Sequence, residues 1–251
     1  MKLIKIVICI FFSLGLFGCA TTYNPVTGRG ELIFISTPTE VSLGKSIAKQ
    51  IAWEKRLINE GNELERIKKI GKKLAHFSDR QDLEYHFFLV KDKEFNAFAV
   101  PGGFIYVNSG LADAANDNEL ACVIAHEIVH VAARHSVKHL QASLGYQILI
   151  SAALGGENQA TTRQISNMIF NLSQLGYSRG DETLADLVGV KYAYLAGYDP
   201  DGMVTFFQKL KAEATKRGQA IPAEIFSSHP DIDKRIQTVE AEIKRLRSIG
   251  K

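Results

Sequence analysis

Apolar residues recur every three to four positions over most of the chain, which is the spacing of one face of an α-helix. Leu43, Ile47 and Ile51 mark the first such face, and Asn116 followed by Glu119 is typical of a capped helix start. The pattern predicts helices over residues 38–57, 63–77 and 116–140, a further helix that runs to residue 154, and helices over 161–175, 181–196, from 199 onward, and 231–249.

Two segments predict strands instead. Residues 85–90 are apolar and aromatic, and residues 96–107 place two short strands around Pro101, Gly102 and Gly103. Proline and paired glycines suit a turn or a sheet edge better than a central strand. Two smaller features are an extended piece at residues 32–35 and a loop at residues 154–160.

The order of these elements predicts the fold class. Helices stand before and after the strands instead of alternating with them, which favours α+β over α/β. A chain of 251 residues with 46% hydrophobic and 23% charged residues can bury one sizeable core. We therefore expect a single, mostly helical α+β domain with a small β-sheet.

The N-terminus resembles a bacterial lipoprotein signal. Lys2 and Lys5 precede an apolar run at residues 6–17 that is too short to span a bilayer comfortably, and Cys19 follows Leu-Phe-Gly as in a lipobox. Cys19 is therefore the expected lipidation site, and its acyl chains would hold the protein at a membrane. A plain secretory signal and an uncleaved anchor are the alternatives.

This signal also predicts how the chain is divided. The segments are a lipoprotein signal peptide at residues 1–18, a lipid-anchored tether at residues 19–37 and a folded domain at residues 38–251. Ala20 is not Asp, which by resemblance to enterobacterial sorting implies the outer membrane, facing the periplasm. Loss of Lys2 and Lys5 would lower the net charge from +3 to +1 (3 minus 2), which gives no argument for nucleic acid as a partner.

His126 and His130 carry the strongest chemical signal. Four residues apart on a predicted helix, their imidazoles lie on one face and suit zinc, which takes three protein ligands in catalytic sites. Glu127 follows the first histidine, where its carboxylate can take a proton from water and pass it to a leaving amine. The alternative is a surface helix with unrelated histidines, but this helix is apolar nearly all round.

The third ligand must come from elsewhere in the chain. A metzincin would need a histidine at position 136 and a glycine at position 133, where the chain has Ser136 and Ala133. Glu182 is a better candidate, because Asp186 lies one turn beyond it and can orient a ligand histidine. The alternative is that these acids only complement the positive start of their helix.

A second pair of histidines follows the first. His135 and His139 are also four apart, but their angular offset from His130 puts them on another part of a continuous helix. We expect them to form a partly exposed pair without a metal role.

Several motifs together resemble one family. They are His126-Glu127-Ile128-Val129-His130; Ser178-Arg179-x-x-Glu182-x-x-Ala185-Asp186; Asn96-Ala97-Phe98-Ala99-x-Pro101-Gly102-Gly103; Ser228-His229-Pro230 with Arg235; and Asn24-Pro25-Val26-Thr27-Gly28. They resemble the gluzincin zinc peptidases related to HtpX, the CaaX prenyl protease and the mitochondrial inner-membrane protease Oma, over residues 24–240. The resemblance implies a gluzincin domain with one zinc per chain, Glu182 as third ligand, Asp186 behind a ligand histidine and Glu127 as base.

The resemblance also gives residues 96–107 a role. In such peptidases an edge strand lines the active-site cleft and binds the substrate backbone as an added antiparallel strand. A buried hairpin with no open edge is the alternative. The residues expected to bind substrate are Asn96, Ala97, Phe98, Ala99, Gly102 and Gly103.

His229 and Arg235 are further catalytic candidates. Either side chain could stabilise the oxyanion that forms on the scissile carbonyl. His229 could instead reach the zinc and block it, which would make the enzyme latent. The alternative is a histidine near the start of the last helix and an arginine in a salt bridge.

The sequence therefore predicts a membrane-anchored zinc endopeptidase that acts on unfolded or misassembled envelope proteins, with envelope assembly machinery as a candidate partner. A chaperone or adaptor that uses the same groove with little or no cleavage is the first alternative. A lipoprotein that only holds zinc is the second, although the substrate-binding segment speaks against it.

Overall fold

The computed structural model describes residues 21–144, 160, 163–165, 167–168, 171, 177–216 and 232–249. The described strands are β1 (Thr21–Asn24), β2 (Arg29–Leu32), β3 (Leu57–Ile58), β4 (His86–Val90), β5 (Ala97–Val100) and β6 (Phe104–Asn108). The described helices are α1 (Thr37–Glu54), α2 (Asn62–Ala75), α3 (Ser109–Ala114), α4 (Asp117–Ala132), α5 (His135–Leu144), α6 (Arg179–Leu195), α7 (Asp201–Lys216) and α8 (Ile232–Ile249). The predictions for Cys19, His229 and residues 145–159 fall outside this part of the chain.

The mostly helical α+β fold is confirmed. Capping side chains set where two helices begin. The Ser36 side chain accepts a hydrogen bond from the Thr39 amide in the first turn of α1, and Asn116 forms the predicted capping box with Glu119 at the start of α4. Across the described ranges, no helix combines the length and the apolar character that crossing a bilayer requires.

The N-terminal hairpin differs from what the sequence pattern predicts. We expected one extended piece at residues 32–35, but β1 and β2 pair antiparallel over 21–24 and 29–32. The turn between them closes through a 2.9 Å bond from the Gly28 amide to the Asn24 carbonyl, with Gly28 at φ 67°, and so sets the register. The Asn24 amide also donates to the Ala133 carbonyl at 3.3 Å, which holds the hairpin against the end of α4.

The main sheet has four strands in the order β3-β4-β6-β5, with β4 and β6 parallel and the other pairs antiparallel. The strand β5 is therefore an edge strand in the described sheet, as predicted. Its four side chains are nevertheless buried, because α1 and α4 pack against it. The turn after β5 places Gly102 at φ 80° and Gly103 at φ 96°, conformations that favour glycine.

The helix α4 is the central element of the core. It packs against α2, α6, α7 and β5, and every residue from Glu119 to Ala132 is buried. The expectation that an apolar surface all round the helix means burial is confirmed. Polar side chains on α4 therefore lie inside the protein and need partners there.

The predicted continuous helix over residues 116–140 is wrong at one point. The helix α4 ends at Ala132, and Arg134 has a left-handed backbone with φ 57° before α5 begins at His135. This conformation costs a non-glycine residue about 1–2 kcal/mol. It persists because the Arg134 side chain is held by buried Glu40, with Nε 2.8 Å from Oε2.

Candidate metal centre

The metal-ligand candidates lie where α4 and α6 pack closely. A side chain added at Gly189 of α6 would begin only 3.0 Å from the backbone nitrogen of His126. Glycine at this position therefore lets α6 approach α4 more closely than any larger residue would. That approach brings the acids of α6 next to the histidines of α4.

The structure brings together the three residues predicted as metal ligands. One donor atom each from His126, His130 and Glu182 lies within 4.8 Å of the other two, and all three residues are buried. The two Nε2 atoms are 2.9 Å apart. The Glu182 oxygens lie 3.6 Å from each of them.

The partners of His126 indicate how its ring is protonated. Asp186 Oδ1 lies 2.9 Å from His126 Nδ1. A carboxylate accepts, so Nδ1 carries the proton and Nε2 presents its electron pair to the centre. Arg235 donates to both Asp186 oxygens, at 2.7 and 2.6 Å, and holds the carboxylate in place.

A metal cation fits this donor set. Nε2 of His126 and the Glu182 carboxylate turn electron pairs toward the same buried point. Nε2 of His130 does the same when the His130 ring carries its proton on Nδ1. Two imidazole nitrogens and a carboxylate that converge on one buried point are the kind of donor set that zinc takes in catalytic sites. His126, His130 and Glu182 are therefore the residues that could hold a metal.

Arg235 is buried and forms the salt bridge that was the alternative interpretation of this residue. Besides the bonds to Asp186, its guanidinium lies 3.4 Å from Glu182 and stacks over the Phe207 ring. Arg235 thus contacts a ligand and the acid behind a ligand. Its oxyanion role stays a prediction, as does the role of His229.

The prediction of a partly exposed His135–His139 pair is wrong for His135. His139 is exposed, but His135 is 2% exposed and its Nδ1 lies 2.8 Å from Nδ1 of His130. The break at Arg134 causes the difference, because it turns His135 back toward α4. His135 Nε2 in turn lies 3.1 Å from Asp181 Oδ1, although it is not aligned for a hydrogen bond within the described residues.

Glu127 lies beside the ligands without joining them. Its carboxylate accepts a hydrogen bond from the Ala99 amide of β5, and burial raises its pKa to about 8, against the opposing charge of His126. A pocket opens next to it and is mostly apolar. Its lining includes Asn96, Ala97, Val123, Met203, Phe206 and Phe207.

The register of β5 decides which predicted substrate-binding residues face the site. Asn96 accepts from the Asn108 amide across the β5–β6 pair, so by alternation Ala97 and Ala99 turn their amides and carbonyls away from β6. The Ala99 bond to Glu127 agrees with this register. The Phe98 side chain stacks on Tyr106 instead, at 4.9 Å between ring centroids.

Gly102 and Gly103 pack against other elements. Side chains added there would begin 2.8 Å from the Val41 backbone and 2.4 Å from the Glu84 carbonyl, respectively. The structure therefore gives both glycines a role in the turn. Their contact with substrate stays a prediction.

Electrostatics differ between His126 and His130. Burial opposes the charged form of both. At His126 the bond to Asp186 and the charge of Glu182 outweigh burial, so its pKa is raised. At His130 burial dominates and neighbouring His126 adds to it, so its pKa is lowered well below the usual value. Burial also lowers the pKa of His135 to about 4.

A buried ionic cluster around Glu40 was not predicted from the sequence. This carboxylate is fully buried and accepts from Arg134 at 2.8 Å and from Arg80 at 3.4 Å. Its second oxygen accepts the Gly102 amide at 3.4 Å. The sequence held one indication that Glu40 is buried: it lies three positions before Leu43, on the apolar face of its helix.

Metallopeptidases of the gluzincin class combine two histidines of one helix with a glutamate from a second helix, and the fold and the site together define this chain as one of that class. More particularly, the chain belongs to Peptidase family M48, and the match to this family covers residues 62–243.

Three relatives show how far the similarity extends. Metalloprotease YcaL of Escherichia coli is 29% identical over 258 residues, covering 97% of this chain and 98% of the relative. Metalloprotease LoiP of Escherichia coli is 31% identical over 177 residues, 69% of this chain and 68% of the relative. The beta-barrel assembly-enhancing protease of Escherichia coli is 28% identical over 235 residues, covering 89% of this chain, which spans about half of that relative (47%).

Proposed function

We propose that this protein is a zinc endopeptidase, held at the bacterial envelope by a lipid on Cys19. The observation that carries the proposal is the buried convergence of His126, His130 and Glu182, with Glu127 adjacent and outside the ligand set. One zinc per chain satisfies these ligands, since the metal prefers imidazole and carboxylate donors in a tetrahedral arrangement.

The residues around the centre have separate tasks. Zinc, when bound, supplies a Lewis acid that polarises a carbonyl and makes water more acidic. Glu127 accepts the proton of the attacking water and returns it to the leaving amine. Asp186, fixed by Arg235, keeps the His126 ring in the orientation that presents Nε2.

Substrate binding is proposed at the outer edge of β5. The outward amide and carbonyl of Ala97 and the outward carbonyl of Ala99 can pair with an extended peptide as an added strand, while the Ala99 amide faces Glu127. The Asn96 side-chain nitrogen supports this proposal, because it is a buried donor without a hydrogen-bond partner in the described part of the chain. A peptide carbonyl would satisfy it. Main-chain pairing of this kind tolerates many sequences, and the pocket beside Glu127 suits an apolar side chain.

The substrates proposed are unfolded or misassembled envelope proteins, which offer extended segments for such pairing. The similarity to a protease named for enhancing beta-barrel assembly supports protein quality control near the outer membrane, with envelope assembly machinery as a candidate partner. Lipid on Cys19 would keep the enzyme at that membrane, facing the periplasm.

The test is cleavage of casein by the purified full-length protein, with zinc content measured in the same samples. We expect the wild type to bind about one zinc and to cleave. Glu127→Gln should keep its zinc, because Glu127 is not a ligand, and should lose cleavage. Glu65→Gln, at an exposed glutamate of α2, is the matched control and should behave as the wild type.

Two results would contradict the proposal in different ways. Cleavage by Glu127→Gln at the wild-type rate would remove the assigned base. Zinc in every variant with cleavage in none would favour the chaperone or adaptor function, in which the β5 edge binds peptides without cutting them.

A further inference from the structure

The end of the N-terminal hairpin and the segment after it turn apolar side chains outward. Residues 31–35 alternate in exposure: Ile33 and Ile35 are buried at 3% and 1%, while Leu32 and Phe34 are 65% and 48% exposed. A strand that covers a domain ordinarily turns polar residues outward. Here the outward positions are among the largest apolar residues of the segment.

The first strand adds to the same face. In the β1–β2 register Thr21 lies opposite Leu32 and Tyr23 opposite Gly30. Opposed residues share a face, so Tyr23, which is 66% exposed, lies diagonally beside Leu32. We call Tyr23, Leu32 and Phe34 the outer hairpin face.

This face is fixed to the domain. Gln141 of α5 accepts the Phe34 amide at 2.8 Å and donates to the Leu32 carbonyl at 3.0 Å. Asn24 binds the Ala133 carbonyl at the end of α4. The orientation of the outer hairpin face therefore sets the orientation of the helix that carries His126 and His130.

We propose that the outer hairpin face rests on the lipid bilayer. The inference rests on the proposed lipidation of Cys19, which stands four residues before Tyr23. Four residues of extended chain reach at most about 14 Å, at about 3.3–3.6 Å per residue. With the acyl chains in the membrane, the hairpin cannot leave the surface.

The chemistry of the face suits that position. Tyrosine prefers the boundary between hydrocarbon and headgroups, where its ring is buried and its hydroxyl stays hydrated. The exposed parts of Leu32 and Phe34 gain by leaving water for hydrocarbon. Arg29 lies exposed at the turn end of the same hairpin, where it can meet anionic headgroups.

The test places an environment-sensitive fluorophore on Leu32→Cys or Phe34→Cys in the full-length lipidated protein. Lys69→Cys, at an exposed position of α2, carries the same label as the control. Cys122 is fully buried and stays unlabelled. The proteins are bound to vesicles of phosphatidylethanolamine and phosphatidylglycerol that contain nitroxide-bearing lipids, and flotation of the vesicles reports anchoring.

We expect the fluorescence emission of labels at positions 32 and 34 to shift to the blue and to be quenched by the nitroxides. The emission of the label at position 69 should show neither change. Flotation with all three labels equally unquenched would overturn the membrane contact while leaving lipidation intact. Loss of flotation would overturn both. A blue shift at 32 and 34 in the unlipidated Cys19→Ala protein without vesicles would also overturn the proposal, because another part of this chain or a second copy would then cover the face.

Discussion

His135 is placed to support His130, one of the proposed metal ligands, from the side away from the centre. Its Nδ1 lies 2.8 Å from Nδ1 of His130, so one of the two nitrogens must carry the proton. When His130 uses Nε2 as a ligand, its Nδ1 holds the proton and donates to His135. Both ligand histidines are then held from behind, His126 by Asp186 and His130 by His135.

This arrangement predicts that His135→Ala weakens zinc binding by about 10–100-fold, the usual effect of losing an outer hydrogen-bond partner of a metal-ligating histidine. The measurement is competition with a zinc chelator, with circular dichroism to check that the variant is folded. His139→Ala is the control, because His139 belongs to the same helix and is exposed. Equal zinc affinities for the two variants would show that the His130–His135 contact does not matter.

At the scale of elements, the distance between α4 and α6 depends on Gly189. A methyl group there would press on the His126 backbone at 3.0 to 3.2 Å, and backbone inside a buried helix has little room to move. The acids of α6 would shift with it. The geometry of the centre is therefore set partly by a residue that carries no chemistry.

We expect Gly189→Ala to lower the free energy of unfolding by about 1–3 kcal/mol, the usual cost of overpacking a core, and to weaken zinc binding. Gly180→Ala on the same helix should be neutral, or stabilising by about 0.4–1 kcal/mol, since its new methyl group meets nothing closer than 3.8 Å. Urea unfolding of both variants with and without zinc is the measurement. An unchanged midpoint for Gly189→Ala would mean that the two helices can move apart freely.

Elements set by local sequence could be predicted, whereas elements that depend on distant contacts could not. The helices α2, α6 and α8 follow their apolar spacing, and the convergence of His126 and His130 follows from a spacing of four on α4. The break after Ala132 could not be read locally, because it depends on Arg134 meeting Glu40, a residue 94 positions earlier. His135 was misjudged for that reason alone. The hairpin register likewise depends on a turn.

At the scale of the whole molecule, Glu40 joins regions that are distant in sequence. It contacts Arg80 after α2, Gly102 in the turn after β5 and Arg134 after α4. Both arginines are buried, at 5% and 4% exposure. One carboxylate therefore connects the strand proposed to bind substrate with the helix that carries the metal ligands.

We expect Glu40→Gln to destabilise the protein by about 3–5 kcal/mol, because removing one partner of a buried ion pair leaves charges without compensation. Glu65→Gln removes an exposed pair with Lys68 and should cost less than about 1 kcal/mol. Thermal unfolding with zinc held constant compares the two. A Glu40→Gln protein as stable as Glu65→Gln would show that water or a neighbouring group replaces the lost charge.

Arg235 supports His126 through Asp186, and this support depends on a part of the chain that is made late. Arg235 is on α8, and 109 residues (235 minus 126) separate it from His126. At about 5–20 residues per second, a ribosome needs on the order of 5–20 s to make that stretch. A nascent chain therefore carries its histidines well before it can hold Asp186 in place. We expect a chain that stops before α8 to lack this support for Asp186, and with it the full arrangement behind His126.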